Sequence, residues 1–171
     1  MNLYTSHQNK IIGSIDQAVT NLAQILPLNN SYYAQCLEIF EANSNQRLGI
    51  LNWLQENVLS KMSQCRQSIL SVGCGTGAFD EQVLRHLTDR KTPVKYLGIE
   101  PNQLEATEFL KRMHAQSTDE IAVDASVLVE KFGQQSFSEE FDLILFVQSI
   151  YYLDDRNKAI DAALKALSPG G

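Results

Sequence analysis

The chain has 171 residues, 44% of them hydrophobic and 20% charged, with a formal net charge of −6; this suits one globular domain with a real core. The acidic balance argues against a nucleic-acid partner, since phosphate binding needs a basic footprint. No apolar run approaches the roughly 20 residues a bilayer span requires, and Met1-Asn2-Leu3-Tyr4-Thr5-Ser6 lacks the basic start and apolar stretch of a secretion signal, so no membrane partner and a cytoplasmic location are expected.

Residues 1–66 carry helical periodicity and form an expected N-terminal helical cap or lid segment. Ile12, Ile15, Val19, Leu22 and Leu26 recur at steps of three and four, one apolar helix stripe ended by Pro27 and Asn29-Asn30-Ser31. A second helix is predicted over Tyr32 to Ala42. A third is predicted over Gln46 to Met62, with Leu51, Leu54, Val58 and Met62 inward and Trp53 packed in the cap.

From residue 67 the pattern becomes strand and helix in alternation. Ser68 to Val72 is a strand stopped by glycine, and the helix after it presents Phe79, Val83, Leu84 and Leu87 on one side. Val94 to Glu100 is a second strand. Asn102 then reads as an N-cap, with Glu105 completing a capping box, and Ala106, Phe109, Leu110 and Met113 as the buried face of the helix. Glu120 to Val123 is a third strand. Phe141 to Val147 is a fourth, apolar nearly throughout, as a strand buried on both faces reads. A last helix, about Asp155 to Leu167, stops at Ser168-Pro169-Gly170-Gly171. Alternating strands and helices predict an α/β fold with a parallel sheet and right-handed crossovers.

The chemistry concentrates in the first strand-to-helix turn, Gly73-Cys74-Gly75-Thr76-Gly77. A ligand lying against a turn requires backbone without side chains, and the following helix offers free N–H groups. Glu100 ends the second strand. Ligands of open α/β sheets sit outside the carboxyl ends of the strands, so Glu100 and the turn should share one edge, where a carboxylate can accept both ribose hydroxyls of an adenosine. Two ligands fit: S-adenosyl-L-methionine, or a dinucleotide such as NAD, because Gly73 to Ala78 also satisfies G-x-G-x-x-A. Cys36, Cys65 and Cys74, like His7, His86 and His114, are scattered without metal spacing. Free thiols in a reducing compartment and no metal site are expected.

The segments Ile69 to Gly77, Gly98-Ile99-Glu100-Pro101, Phe141 to Leu145 and Leu167-Ser168-Pro169-Gly170-Gly171 resemble the class I S-adenosylmethionine-dependent methyltransferases. Within that class the chain is most similar to histamine N-methyltransferase. Ser71 stands where most class I members carry an acid, Asp80 follows the turn at the matching distance, and Gln148-Ser149-Ile150-Tyr151-Tyr152-Leu153-Asp154-Asp155 is similar to that family's Gln-x-x-Tyr-Tyr-x-x-Asp segment. Tyr33, Phe40 and Ser44 fit the spacing of its N-terminal helical segment.

The resemblance implies a Rossmann-like fold, with residues 67–171 as the S-adenosylmethionine-binding core. It implies that Gly73, Cys74, Gly75, Gly77, Glu100, Pro101 and Val147 touch the cofactor, with Asp124, Ala125 and Ser126 beside its adenine. Gln148, Tyr151 and Tyr152 would face a small-molecule acceptor. Gln46 falls where the family has a glutamate that grips its substrate's imidazole; glutamine keeps a hydrogen bond and loses the charge. The family's sheet runs 3-2-1-4-5-7-6, so this sequence is expected to form 3-2-1-4 with the C-terminal strands missing. It is then either a fragment of a longer protein or a chain that pairs its open apolar edge with another.

The expected reaction is methyl transfer from S-adenosylmethionine to nitrogen of an amine or imidazole, because no general base stands out and an amine needs only to be deprotonated on binding. The alternatives are a non-catalytic S-adenosylmethionine-binding module and an NAD-dependent oxidoreductase.

Overall fold

The computed structural model describes residues 43–118, 120–133, 135 and 137–171, together with Tyr32, Gln35, Cys36, Ile39 and Phe40. The chain divides into two compact units, Met1–Asn45 and Gln46–Gly171. In the first, Tyr32, Gln35, Cys36, Ile39, Phe40 and Asn43 are helical, within the predicted second helix and one residue past it; the predicted stripe from Ile12 to Leu26 and Tyr33 lie outside the described residues. Among the described residues no helix is long and apolar enough to cross a membrane.

The second unit begins with α1 (Gln46–Asn57) and a 3-10 turn, Leu59–Lys61. The helix is shorter than its periodicity predicts. Val58 leaves helical dihedrals (φ −122°, ψ −67°), which turns Leu59 fully into the core beside Leu54, Ile69 and Val83. The guanidinium of Arg90 donates to the carbonyls of Leu59 and Met62, acceptors that a helix end leaves unsatisfied. Trp53, expected to pack, is 60% exposed.

Next come β1 (Gln67–Val72), α2 (Ala78–Asp89), β2 (Val94–Ile99), α3 (Gln103–His114), β3 (Val123–Leu128), β4 (Leu143–Leu145) and α4 (Arg156–Ala166). The four strands form one parallel sheet in the order β3-β2-β1-β4, as expected for a Rossmann-like class I methyltransferase fold. β1, central and nearly all buried, carries Ile69 into one apolar cluster, with Val83, Leu87, Tyr96 and Phe109, and Leu70 and Val72 into a second, with Ile99 and Phe141.

Two strands differ from expectation. β3 starts at Val123, not Glu120. Thr118 and Ile121 exchange backbone hydrogen bonds, each 3.2 Å, which engages Ile121 outside the ladder, and pairing begins only where Val123 meets Val94. β3 then alternates half-buried Val123, Ala125 and Val127 with exposed Asp124, Ser126 and Leu128, the pattern of a strand with one face in water. β4 is three residues long, not the seven of Phe141–Val147. At one end Phe141 forms a parallel bridge with Leu167. At the other Gln148 takes φ +55°, which diverts the chain out of the sheet.

Candidate functional site at the carboxyl edge of the sheet

The strand ends place the site. β1 and β2 finish side by side, Val72 opposite Ile99, so the turn after β1 and the carboxylate after β2 meet at one edge. The turn is held from below: the N–H groups of Gly73 and Cys74 both donate to Ile99 O, at 2.8 and 3.3 Å. Gly73, Gly75 and Gly77 all take positive φ, 66°, 55° and 76°, a region costly for any residue with a Cβ.

Glu100 is 7% exposed. Its Oε2 accepts from Gly75 N at 3.0 Å and its Oε1 from Asn102 N at 2.9 Å. The carboxylate thus ties the glycine turn to the start of α3, and each oxygen keeps acceptor capacity for a further donor. This alters the expected capping box. Asn102 Oδ1 does cap α3, accepting from Leu104 N at 3.0 Å, but Glu100 takes the backbone N–H that Glu105 would have reached.

Beneath the turn, Asp80 is buried and accepts the Tyr96 hydroxyl at 2.8 Å. Burial raises its pKa, against hydrogen bonds from Ser71 and Tyr96 that lower it; burial and then the charge of Asp80 push Tyr96 well above its ordinary value. Cys74 is likewise raised, by burial first and then by Asp80 and Glu100, which keeps its thiol protonated and unreactive.

The residues expected to face an acceptor follow β4. Gln148 Nε2 donates to Gln46 Oε1 at 3.1 Å, across 102 positions of sequence, and Gln148 Oε1 accepts from Arg47 Nε at 3.4 Å. The two glutamines expected at the acceptor are therefore joined, and Arg47 is a member of the group that sequence reasoning missed; its place in the first turn of α1 beside Gln46 was the available signal. Ser149, also missed, is buried against the glycine turn. Tyr151 and Tyr152 sit in the 3-10 turn Ile150–Tyr152, 52% and 62% exposed, with ring centroids 4.6 Å apart. Partial burial and then Tyr152 raise the pKa of Tyr151, with Arg47 opposing.

Val147 packs half-buried against the core below this edge, and Pro101 is exposed beside Glu100. Asp124, Ala125 and Ser126 do not follow the third strand as its expected limits placed them. They lie within β3 opposite Lys95, Tyr96 and Leu97; Asp124, near the amino end of the strand, pairs with Arg66 at 2.8 Å, and Ser126 is mid-strand. The β3 residues at the site's edge are Leu128 and those after it, since Leu128 O accepts from Glu100 N at 3.0 Å. The period-two pattern of Val123, Ala125 and Val127 carried this register. Among the described residues no cluster of three or more His, Cys, Asp or Glu is placed to hold a metal.

A parallel 3-2-1-4 sheet with a glycine turn after β1 and a carboxylate after β2 is the nucleotide-binding half of a class I methyltransferase fold. Residues 70–171 match the methyltransferase domain family, and the chain belongs to it. Among curated proteins it is similar to the ubiquinone biosynthesis O-methyltransferase of Psychrobacter cryohalolentis, 27% identical over 135 residues, covering 71% of this chain and 49% of that protein. Among solved structures it is similar in fold to a SAM-dependent methyltransferase from Geobacter sulfurreducens in complex with S-adenosyl-L-homocysteine (TM-score 0.54, 14% identity, 75% of this chain and 46% of that one). A TehB-like SAM-dependent methyltransferase from Corynebacterium glutamicum is similar too (TM-score 0.54, 20% identity, 81% and 67%). The chain spans about half the length of the curated relative.

Proposed function

We propose that this chain binds S-adenosylmethionine at the carboxyl edge of its sheet and serves methyl transfer to a small-molecule acceptor. One observation carries the reading: Glu100 and the glycine turn converge, with Gly75 N on Glu100 Oε2 at 3.0 Å. The residues fit the group. A Cβ at Gly75 would meet nothing nearer than Glu105 Oε2 at 3.4 Å, so this part of the turn is open to a ligand, and Glu100 can accept ribose hydroxyls beside it. Membership of the methyltransferase family, and the S-adenosylhomocysteine named for the Geobacter protein, favour this cofactor over NAD.

When bound, S-adenosylmethionine supplies an activated methyl group on a sulfonium. The protein's task is then to orient a neutral nucleophile and exclude water, and orientation alone can contribute roughly 7–11 kcal/mol. Gln46 and Gln148 supply neutral hydrogen-bonding amides for the acceptor. Tyr151 and Tyr152 offer ring faces to a cation, each contact worth roughly 0.5–2 kcal/mol.

For the acceptor atom we infer nitrogen of an amine or imidazole, on the similarity of the 148–155 segment to histamine N-methyltransferase and the uncharged Gln46–Gln148 pair. A second reading, a phenolic oxygen, is favoured by Arg47, whose guanidinium beside Gln148 would stabilise a phenolate, and by the O-methyltransferase name of the curated relative. Incubating the chain with labelled S-adenosylmethionine and a panel of amines, imidazoles and phenols tests both. Labelled N-methyl products are expected. Labelled phenol ethers would replace the nitrogen reading with the second. Cofactor binding with no product, from this chain and from a longer one carrying it, would leave a non-catalytic binding module.

A further inference from the structure

Ser149 precedes the 3-10 turn that carries Tyr151 and Tyr152. A serine there ordinarily points its hydroxyl forward, to accept an N–H two or three residues on. Ser149 makes no such bond. Its Oγ instead donates backward to the carbonyl of Val72, at 2.5 Å, in a buried position. Val72 is the last residue of β1, immediately before the glycine turn. Meanwhile the backbone carbonyl of Ser149 accepts from Tyr152 N at 3.0 Å. One residue therefore holds the cofactor turn with its side chain and the tyrosine turn with its backbone.

The fit is close. A Cβ at Gly73 would lie 2.6 Å from Cβ and 3.3 Å from Oγ of Ser149, so Gly73 has no side chain because Ser149 occupies that space. On the other flank, Gln148 sits at φ +55° with its amide held by Gln46 and Arg47. Tyr151 and Tyr152 are 52% and 62% exposed, with ring centroids 4.6 Å apart, and the backbone leading from Ser149 carries both.

We propose that Ser149 is a positioning residue that couples the two sides of the site: a ligand on the glycine turn orders, through the Ser149–Val72 bond, the segment that meets the acceptor. The proposal rests on the cofactor reading above, and the experiment separates the two. Binding of S-adenosylhomocysteine to the full chain is measured first, by calorimetry. Hydrogen–deuterium exchange is then followed with and without it, in peptides covering residues 73–77 and 148–153. In the wild type the ligand is expected to slow exchange in both. Ser149→Ala keeps the Cβ against Gly73 and removes only the hydroxyl. Its 73–77 peptide should stay protected while its 148–153 peptide exchanges about two- to tenfold faster than wild type, the effect of one lost hydrogen bond. Ser149→Cys, similar in shape with a weaker donor, should fall between, and it carries the test should the alanine variant not fold. Equal protection of 148–153 in wild type and variants, or no protection of it in the wild type, would overturn the coupling. A wild type that binds no S-adenosylhomocysteine would overturn the cofactor reading and the coupling with it.

Discussion

Gly73, Gly75 and Gly77 share a backbone region, but an added methyl group would meet different surroundings at each. At Gly73 it would strike Ser149, at Gly77 the Phe109 ring at 2.7 Å, and at Gly75 only open space and Glu105. Gly73 and Gly77 are demanded by packing; Gly75 is the one left open to a ligand. Gly75→Ala should therefore fold with a loss of about 1–2 kcal/mol from left-handed strain and lose most of its S-adenosylhomocysteine affinity, whereas Gly73→Ala should lose more stability. Thermal unfolding and calorimetry distinguish the two. Glu100→Ala should weaken the same binding by roughly 1–3 kcal/mol, the scale of a lost charged hydrogen bond; unchanged affinity would show that the ribose is not held there. Asp80 gives a pH signature. Its pKa is raised from 3.8 by burial, so its contribution to stability is full below that value and falls as pH rises toward the folded-state value. Asp80→Asn keeps an oxygen for Tyr96 and removes the titration. Melting temperature against pH should show the wild type losing stability relative to the variant as pH rises out of the acid range.

Among the elements, helix starts were legible because their signals are local. Asn102 caps as its sequence suggests, accepting from Leu104 N at 3.0 Å, and the last helix, expected from about Asp155, starts one residue later with Asp155 as its cap, accepting from Lys158 N at 3.1 Å. Asn102→Ala should cost about 0.5–2 kcal/mol, measured by denaturant unfolding. Strand limits were less legible. Nothing in the composition of Glu120 to Val123 reveals that a turn at Thr118–Ile121 delays pairing, and the long apolar run after Phe141 does not show that only Leu143–Leu145 is laddered. Local preference determines whether a strand forms; its partner determines where it begins.

For the whole molecule, the sheet forms its candidate site by bringing strand ends together, and folding and binding are linked by mass action. S-adenosylhomocysteine at one hundred times its dissociation constant should raise unfolding stability by about 2.7 kcal/mol, read as a thermal shift, while NAD at the same concentration should give none. A shift with NAD alone would reverse the cofactor assignment.

The sequence by itself determined the fold class, the glycine turn and its acidic partner, because these rest on hydrophobic period and on residue types with few substitutes; the strand order followed from the family resemblance. It also named Gln46 and Gln148, but not that they touch. Only the tertiary structure decided that Asp124, Ala125 and Ser126 lie within β3, that Arg47 touches Gln148 and Ser149 the end of β1, and which glycine of the turn is left open. Each of those depends on register or on a contact between residues far apart in the chain, such as Ser149 Oγ with Val72 O, 77 positions away. Such a contact leaves no periodic trace in either segment and exists only once the sheet has brought both to one edge.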